Sequence, residues 1–163
     1  MNGPTENTAH GSSEKPEGRS AGISLATARS MLPLIRRIVE DIVENQRLLA
    51  KLLPEEELLH RQRRDLTWPE RSRRYAIQQD IAGAQQTLVE AKAELAGLGL
   101  VLLDEETGRV GMPTLVNGRR AFFSWWRGEE DLRYWHFPGE AQRRKIPASW
   151  AKEADMSFAE AKG

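Results

Sequence analysis

Residues 119–137 read RRAFFSWWRGEEDLRYWHF, and the fold of the chain turns on how this stretch is paired. Three of the five tryptophans lie in it, Trp125, Trp126 and Trp135, beside Phe122, Phe123, Tyr134 and Phe137. Such residues suit a pleated, half-buried surface, and the polar RGEED between the two runs reads as a tight connection, so the stretch predicts a β-hairpin. With RGEED as a five-residue loop, Trp126 faces Leu132, Ser124 faces Tyr134 and Phe122 faces His136. The alternate side carries Ala121, Phe123 and Trp125 against Arg133, Trp135 and Phe137. That set is nearly all apolar and is the expected core face. The other mixes aromatics with a hydroxyl and an imidazole, and any function on the hairpin is expected there. A slip of one residue exchanges the two faces.

Upstream, the apolar pattern changes to a helical one. Ser24 is a good N-cap, with Ile23 before it as half of a possible hydrophobic staple. Leu25, Ala28, Leu32, Ile35, Val39, Ile42, Gln46, Leu49 and Leu53 follow in alternating steps of three and four, widened by Ile38 and Val43. This is the seam of a helix packed lengthwise on another. Pro33 predicts a kink near Arg29 to Pro33, and Pro54 before three glutamates predicts a second kink or a restart. A turn follows over Arg61 to Arg74. Thr67-Trp68-Pro69-Glu70 fits a capping box, opening a second helix on Ile77, Ile81, Ala84, Leu88, Ala91, Leu95 and Leu98, with Gly97 and Gly99 as its stop. The short connection makes an antiparallel helical hairpin, each arm about 45 Å long at ~1.5 Å per residue.

Between this hairpin and the aromatic stretch lie Leu100 to Leu103, a turn at Glu105 to Gly108, and a weak strand from Arg109 to Val116. Gly111 and Pro113 interrupt that strand and suggest a sheet edge. Asn117-Gly118 is a strong hairpin-turn signal. The expected fold is α+β: a long antiparallel helical hairpin followed by a small antiparallel β-meander of three to four strands. Residues 23–147 form the domain. Residues 1–22, small, polar and broken by Gly and Pro, read as a disordered tail. Residues 148–163 read as a tail or marginal helix, in which Trp150 and Phe158 are available to dock.

Lys plus Arg and Asp plus Glu number 24 each, so no global field draws nucleic acid or an anionic membrane. The absence of cysteine excludes disulfides, thiolate nucleophiles and Cys-based metal sites, and agrees with a reducing compartment. No apolar run approaches the ~20 residues of a membrane span, and the N-terminus has no signal-peptide core. The expected location is cytoplasmic.

Two stretches resemble the uncharacterised bacterial family catalogued as domain of unknown function 2203. The first runs from Ile23-Ser24-Leu25 through Met31-Leu32-Pro33-Leu34-Ile35-Arg36, similar to that family's helix opening into Leu-Leu-Pro. The second holds Ser124, Trp125, Gly128, Glu129, Tyr134, Trp135 and His136, followed by Gly139, Arg143 or Arg144, and Pro147. It is similar to the family's Cys-Trp, Gly-Glu and Tyr-Trp-His pattern with a Gly-rich, Arg- and Pro-containing tail. Ser124 stands where the family has Cys, which removes any thiol role. Phe137 stands where an acid would orient His136, and Thr27 where an acid would complete a capping box. The resemblance implies an architecture and no established activity.

Three surfaces are candidates for function. Arg120, Phe122, Ser124, Trp126, Tyr134 and His136 share one sheet face, a wall able to bind a small polar or aromatic ligand, with His136 as proton donor or acceptor. The plainer reading makes Tyr134 and His136 amphipathic residues of the wet side or of a protein contact. Arg61, Arg63, Arg64, Arg71, Arg73 and Arg74 surround the helix turn and suit phosphate contact, against a plainer reading as a solvated tip. The helical seams themselves suit self-association. No catalytic residue is assigned, because Ser124 lacks an oriented base and an oxyanion site. No metal ligand is assigned either, His10, His60 and His136 being far apart, and no cofactor is expected. The favoured function is a non-enzymatic, self-associating protein-interaction module: a homo-oligomer with a dimer preferred, an unknown protein partner, nucleic acid disfavoured and no membrane.

Overall fold

The computed structural model describes residues 22–151. Apart from Gly22, the tail expected over 1–22 lies outside the described residues, as do His10 and Phe158. Two helices, α1 (Leu25–Arg61) and α2 (Trp68–Gly97), are followed by five strands: β1 (Val101–Asp104), β2 (Arg109–Val116), β3 (Arg119–Trp126), β4 (Tyr134–His136) and β5 (Arg144–Lys145). The strands pair antiparallel in chain order, an α+β meander behind a helical hairpin. The fifth strand exceeds the expected three or four. Its two residues, Arg144 and Lys145, pair with Trp135 and Tyr134 and carry no apolar alternation that would mark them in sequence.

Both helices begin where their side chains can cap the free N–H groups. Ser24 Oγ accepts from the Thr27 N–H at 3.2 Å. Glu70 Oε2 accepts from the Thr67 N–H at 2.7 Å and from its hydroxyl at 2.9 Å, which holds the Glu70 carboxyl below its ordinary pKa. At the end of α2, Gly99 adopts φ +77, and the N–H groups of Gly99 and Leu100 return to the Ala96 and Leu95 carbonyls, a Schellman closure. α1 runs unbroken through Pro33 and Pro54, so Pro54 does not restart the helix.

α1 is buried along nearly all of the expected seam, with Ile38 and Val43 also closed from solvent. The exception is at its distal end, where Leu52 is buried and Leu53 is 46% exposed. Up to Gln46, which donates to Glu105, α1 lies against both α2 and the sheet. Beyond that point only α2 remains, and the buried face swings toward it.

β2 lies between β1 and β3 and is not an edge. Pro113 is tolerated because β1 reaches only as far as Gly111. On that side the Pro113 carbonyl accepts from the Ile23 N–H at 2.8 Å, so no ladder bond awaits the missing donor. Asn117 (φ 51) and Gly118 (φ 74) both take positive φ, the requirement of a two-residue type I′ hairpin. The next hairpin has the expected register: Phe122 opposite His136, Phe123 opposite Trp135 and Ser124 opposite Tyr134. Ala121, Phe123, Trp125 and Trp135 enter the core with α1 and α2, and Trp150 docks at their edge, 5.4 Å from the Trp135 ring. The ladder stops at Ser124–Tyr134, earlier than a five-residue loop allows. Leu132 therefore does not face Trp126 but is fully buried in the core, while Arg133 is exposed.

Gly108, in the β1–β2 turn, lies against α1. Its φ is +69, and a Cβ there would lie 2.7 Å from Val39 Cγ1 and 3.0 Å from Arg127 Cβ. Gly118 has a similar φ with open space around it. Both alanine substitutions incur left-handed strain of about 1 kcal/mol, and Gly108→Ala adds an overpacking cost of roughly 1–3 kcal/mol. Urea denaturation should therefore find Gly108→Ala clearly the less stable of the two.

Candidate functional site

The β3–β4 connection is held by one carboxylate. The Glu129 carbonyl accepts from Trp125 Nε1 at 3.0 Å, and its Oε2 accepts from the Trp126 N–H at 3.0 Å. Its Oε1 accepts from Arg143 Nη2 at 2.7 Å. The side chains of this pair are only 14% (Arg143) and 22% (Glu129) exposed. Gly128 at φ +95 allows the bend that brings Glu129 back over the strand. Arg143 lies 4.0 Å from the Trp126 ring and 4.2 Å from the Tyr134 ring, while Arg109 stands 5.5 Å from Trp126. The guanidinium thus lies over two aromatic rings and is anchored by a carboxylate, a role to which lysine is poorly suited.

This layer decides the fate of the sheet face on which function was expected. Ser124 and His136 are buried, at 0% and 3% exposure, not on a wet wall. Ser124 Oγ accepts from Arg109 Nε at 3.4 Å. His136 Nδ1 lies 2.8 Å from the Phe137 carbonyl, which can only accept, so Nδ1 donates. Its Nε2 is buried without a partner, as is Arg143 Nη1. Phe122 and Tyr134 are half-buried, Trp126 is 42% exposed, and Arg120 is exposed. The sequence brought these residues to one face correctly. It missed Glu129, read as part of a polar loop, and Arg143, read as part of a basic run. The spacing of Glu129 from Arg143 carries no local signal of their contact.

Among the described residues, the grooves near this face are open and charged, the one beside Arg143 measuring about 520 Å³ and lined by Glu140, Ala141, Gln142 and Arg144. A groove of about 190 Å³ beside Tyr134 is lined by Glu129, Glu130, Asp131 and Arg133. Another of about 340 Å³ lies between α1 and the β3–β4 loop, lined by Arg36, Glu40, Trp125, Arg127 and Glu130. Both are rimmed with charge, unlike the apolar clefts that bury small ligands. Among the described residues, no three His, Cys, Asp or Glu side chains converge as metal ligands. No described helix is long and apolar enough to cross a membrane.

At the hairpin tip the arginines are largely engaged. Arg61 pairs with Glu57, Arg73 with Glu55 at 2.9 and 3.0 Å, and Arg74 with Glu56 at 3.5 Å and His60 at 2.7 Å. Arg63 donates to the His60 carbonyl. Among the described residues Arg64 and Arg71 have no such partner and Arg63 meets only that carbonyl, so half of the tip's arginines are paired with carboxylates.

The arrangement defines a class: a helical hairpin carrying a five-stranded meander, its aromatic hairpin locked by a carboxylate–guanidinium clamp. The chain belongs to the family described as an uncharacterized conserved protein (DUF2203), whose model matches residues 23–146. No curated protein and no solved structure matches it.

Arg143→Ala removes a half-buried ion pair and two cation–π contacts, and should lower stability by about 2–3 kcal/mol in urea titrations, with Arg143→Lys recovering only part of it. A second tie, Glu40 accepting from Arg127 Nε at 2.7 Å, joins α1 to the loop and depresses the Glu40 pKa below 4.5. Its contribution is therefore fully present above the ordinary carboxylate value and is lost as pH falls through the depressed one. The stability gap between the parent and Glu40→Gln should stay constant from about pH 6 to 8 and close in acid, remaining small throughout because both side chains are partly solvated.

Proposed function

We propose that the chain is a non-enzymatic protein-interaction module of a reducing, cytoplasmic compartment, and that it self-associates, most simply as a dimer. The observation that carries this reading is where apolar surface remains exposed. Of the ten large hydrophobic residues left in solvent among the described residues, six lie on the helical hairpin: Leu48, Leu53, Leu58, Trp68, Tyr75 and Val89. Trp68 is 77% exposed and Tyr75 66%, values at which an aromatic side chain gains most from a partner. Glu129 and Arg143 pair with one another, and the grooves beside the sheet face are open and charged, which supports a packing role for these side chains.

A second reading, a small ligand held at Trp126, Tyr134 and His136, is favoured by the unpartnered His136 Nε2. It requires the Arg143 layer to open first. Phosphate contact at the tip is the weakest of the three, since three of its six arginines are already paired with glutamates.

Light scattering on the full chain at micromolar concentration should give a mass of two protomers or more. A strict monomer over that range overturns the proposal.

A further inference from the structure

The described residues end beside an open groove. Past β5 the chain turns helical at Ser149, the Trp150 N–H returning to the Pro147 carbonyl at 3.1 Å. Trp150 and Ala151 are half-buried against the core, the Trp150 ring lying 5.4 Å from Trp135 and 6.4 Å from Phe123. Trp150 also forms one wall of a groove of about 320 Å³, where Leu25, Leu115, Val116 and Phe123 complete the apolar lining. Leu115 is 52% exposed there. Immediately after Ala151 the sequence continues KEADMSFAEAKG, residues 152–163.

We infer that residues 152–163 cover this groove, with Phe158 as the side chain seated in it. Read at ~100° per residue from Trp150, the positions of Ala154, Phe158 and Ala161 fall in the same arc as Trp150 and Ala151. Lys152, Glu153, Asp155, Glu160 and Lys162 all fall outside that arc, the pattern of an amphipathic helix. The apolar stripe thus continues the face that Trp150 and Ala151 already set on the core. Phe158 is eight residues beyond Trp150, about 12 Å at ~1.5 Å per residue, so this anchor stays within reach of the groove that Trp150 lines.

Other occupants are less well placed. The chain before α1 also meets the groove's edge, where a Cβ on Gly22 would lie 2.6 Å from Thr114 Cα. Of residues 1–21, however, only Met1 is large and apolar, so that segment has no anchor to offer nearby. A second copy would have to bring its own 152–163 against a resident segment tethered by a few residues, whose effective concentration is on the order of millimolar. Charge favours the same occupant. Glu153, Asp155 and Glu160 outnumber Lys152 and Lys162, and Arg119, two residues past Asn117 on the groove's rim, has no carboxylate partner among the described residues. The inference is independent of the self-association proposed above.

Trypsin reaches the Lys152–Glu153 bond only when the segment lifts, so its cutting rate, followed by mass spectrometry, reads the open population. In the full-length protein Phe158→Ala should speed that cut about tenfold or more, while Met156→Ala, outside the stripe, should leave it near the parent's rate. The chain has no cysteine, so a pair of introduced thiols reports position unambiguously. Leu115→Cys with Ser157→Cys should close an intramolecular disulfide in oxidised glutathione. Leu48→Cys with Ser157→Cys, its first thiol exposed on α1 and not in the groove lining, should not. Equal cutting of the parent and Phe158→Ala, or a Leu115 pair that stays open, overturns the inference. A Leu115 pair that closes only between chains also overturns it and assigns the groove to residues 152–163 of a second copy.

Discussion

One helix has to satisfy two neighbours at once, and the rest of the structure depends on it. Along α1, Ile35, Ile38, Val39, Ile42 and Val43 form an apolar surface too wide for a single partner helix, and all five are essentially inaccessible to solvent. α2 covers one flank and the aromatic face of the sheet covers the other. Each of the two covers is thin on its own: α2 relies on small Ala84 and Ala91 for close approach, and the sheet brings Trp125 and Phe123. Burial of this shared surface, at about 25 cal/mol per Å², is the main force holding sheet to hairpin.

Polar ties then fix the relative placement that burial alone leaves loose. Arg29 donates to the Leu132 carbonyl at 3.2 Å, Arg36 to the Glu130 carbonyl, and Arg127 holds Glu40. All three reach from α1 to the β3–β4 connection. That connection is itself braced from behind by Glu129 and Arg143. The aromatic hairpin is thus held on both faces, by hydrocarbon toward the helices and by stacked guanidinium on the other side. Gly128, Glu129, Tyr134 and Arg143 of the family pattern come together in this clamp.

The hairpin outlasts the sheet. Past Gln46 on α1, the two helices project with only each other for cover, and it is there that Leu53, Leu58, Trp68 and Tyr75 stay in solvent. The packed end holds the sheet, while the projecting end leaves apolar side chains in solvent.

Local rules, acting on neighbours in the chain, were readable before any coordinates. Ser24, Thr67 with Glu70, Gly99 and Asn117-Gly118 each stop or start an element through contacts within a few residues. Period alone gave the seams of both helices and the pairing of Phe122, Phe123 and Ser124 with His136, Trp135 and Tyr134. The antiparallel hairpin and the core face of its aromatic ribbon followed from those. What the tertiary structure alone decided is whatever depends on a distant cover. Ser124 is met by Arg109 from β2 and His136 by the Phe122 ring, Leu132 is drawn inward by a ladder that ends early, and Leu52 replaces Leu53 where the sheet runs out. A residue's own spacing encodes the side it faces; whether that side meets water is set by what else folds onto it.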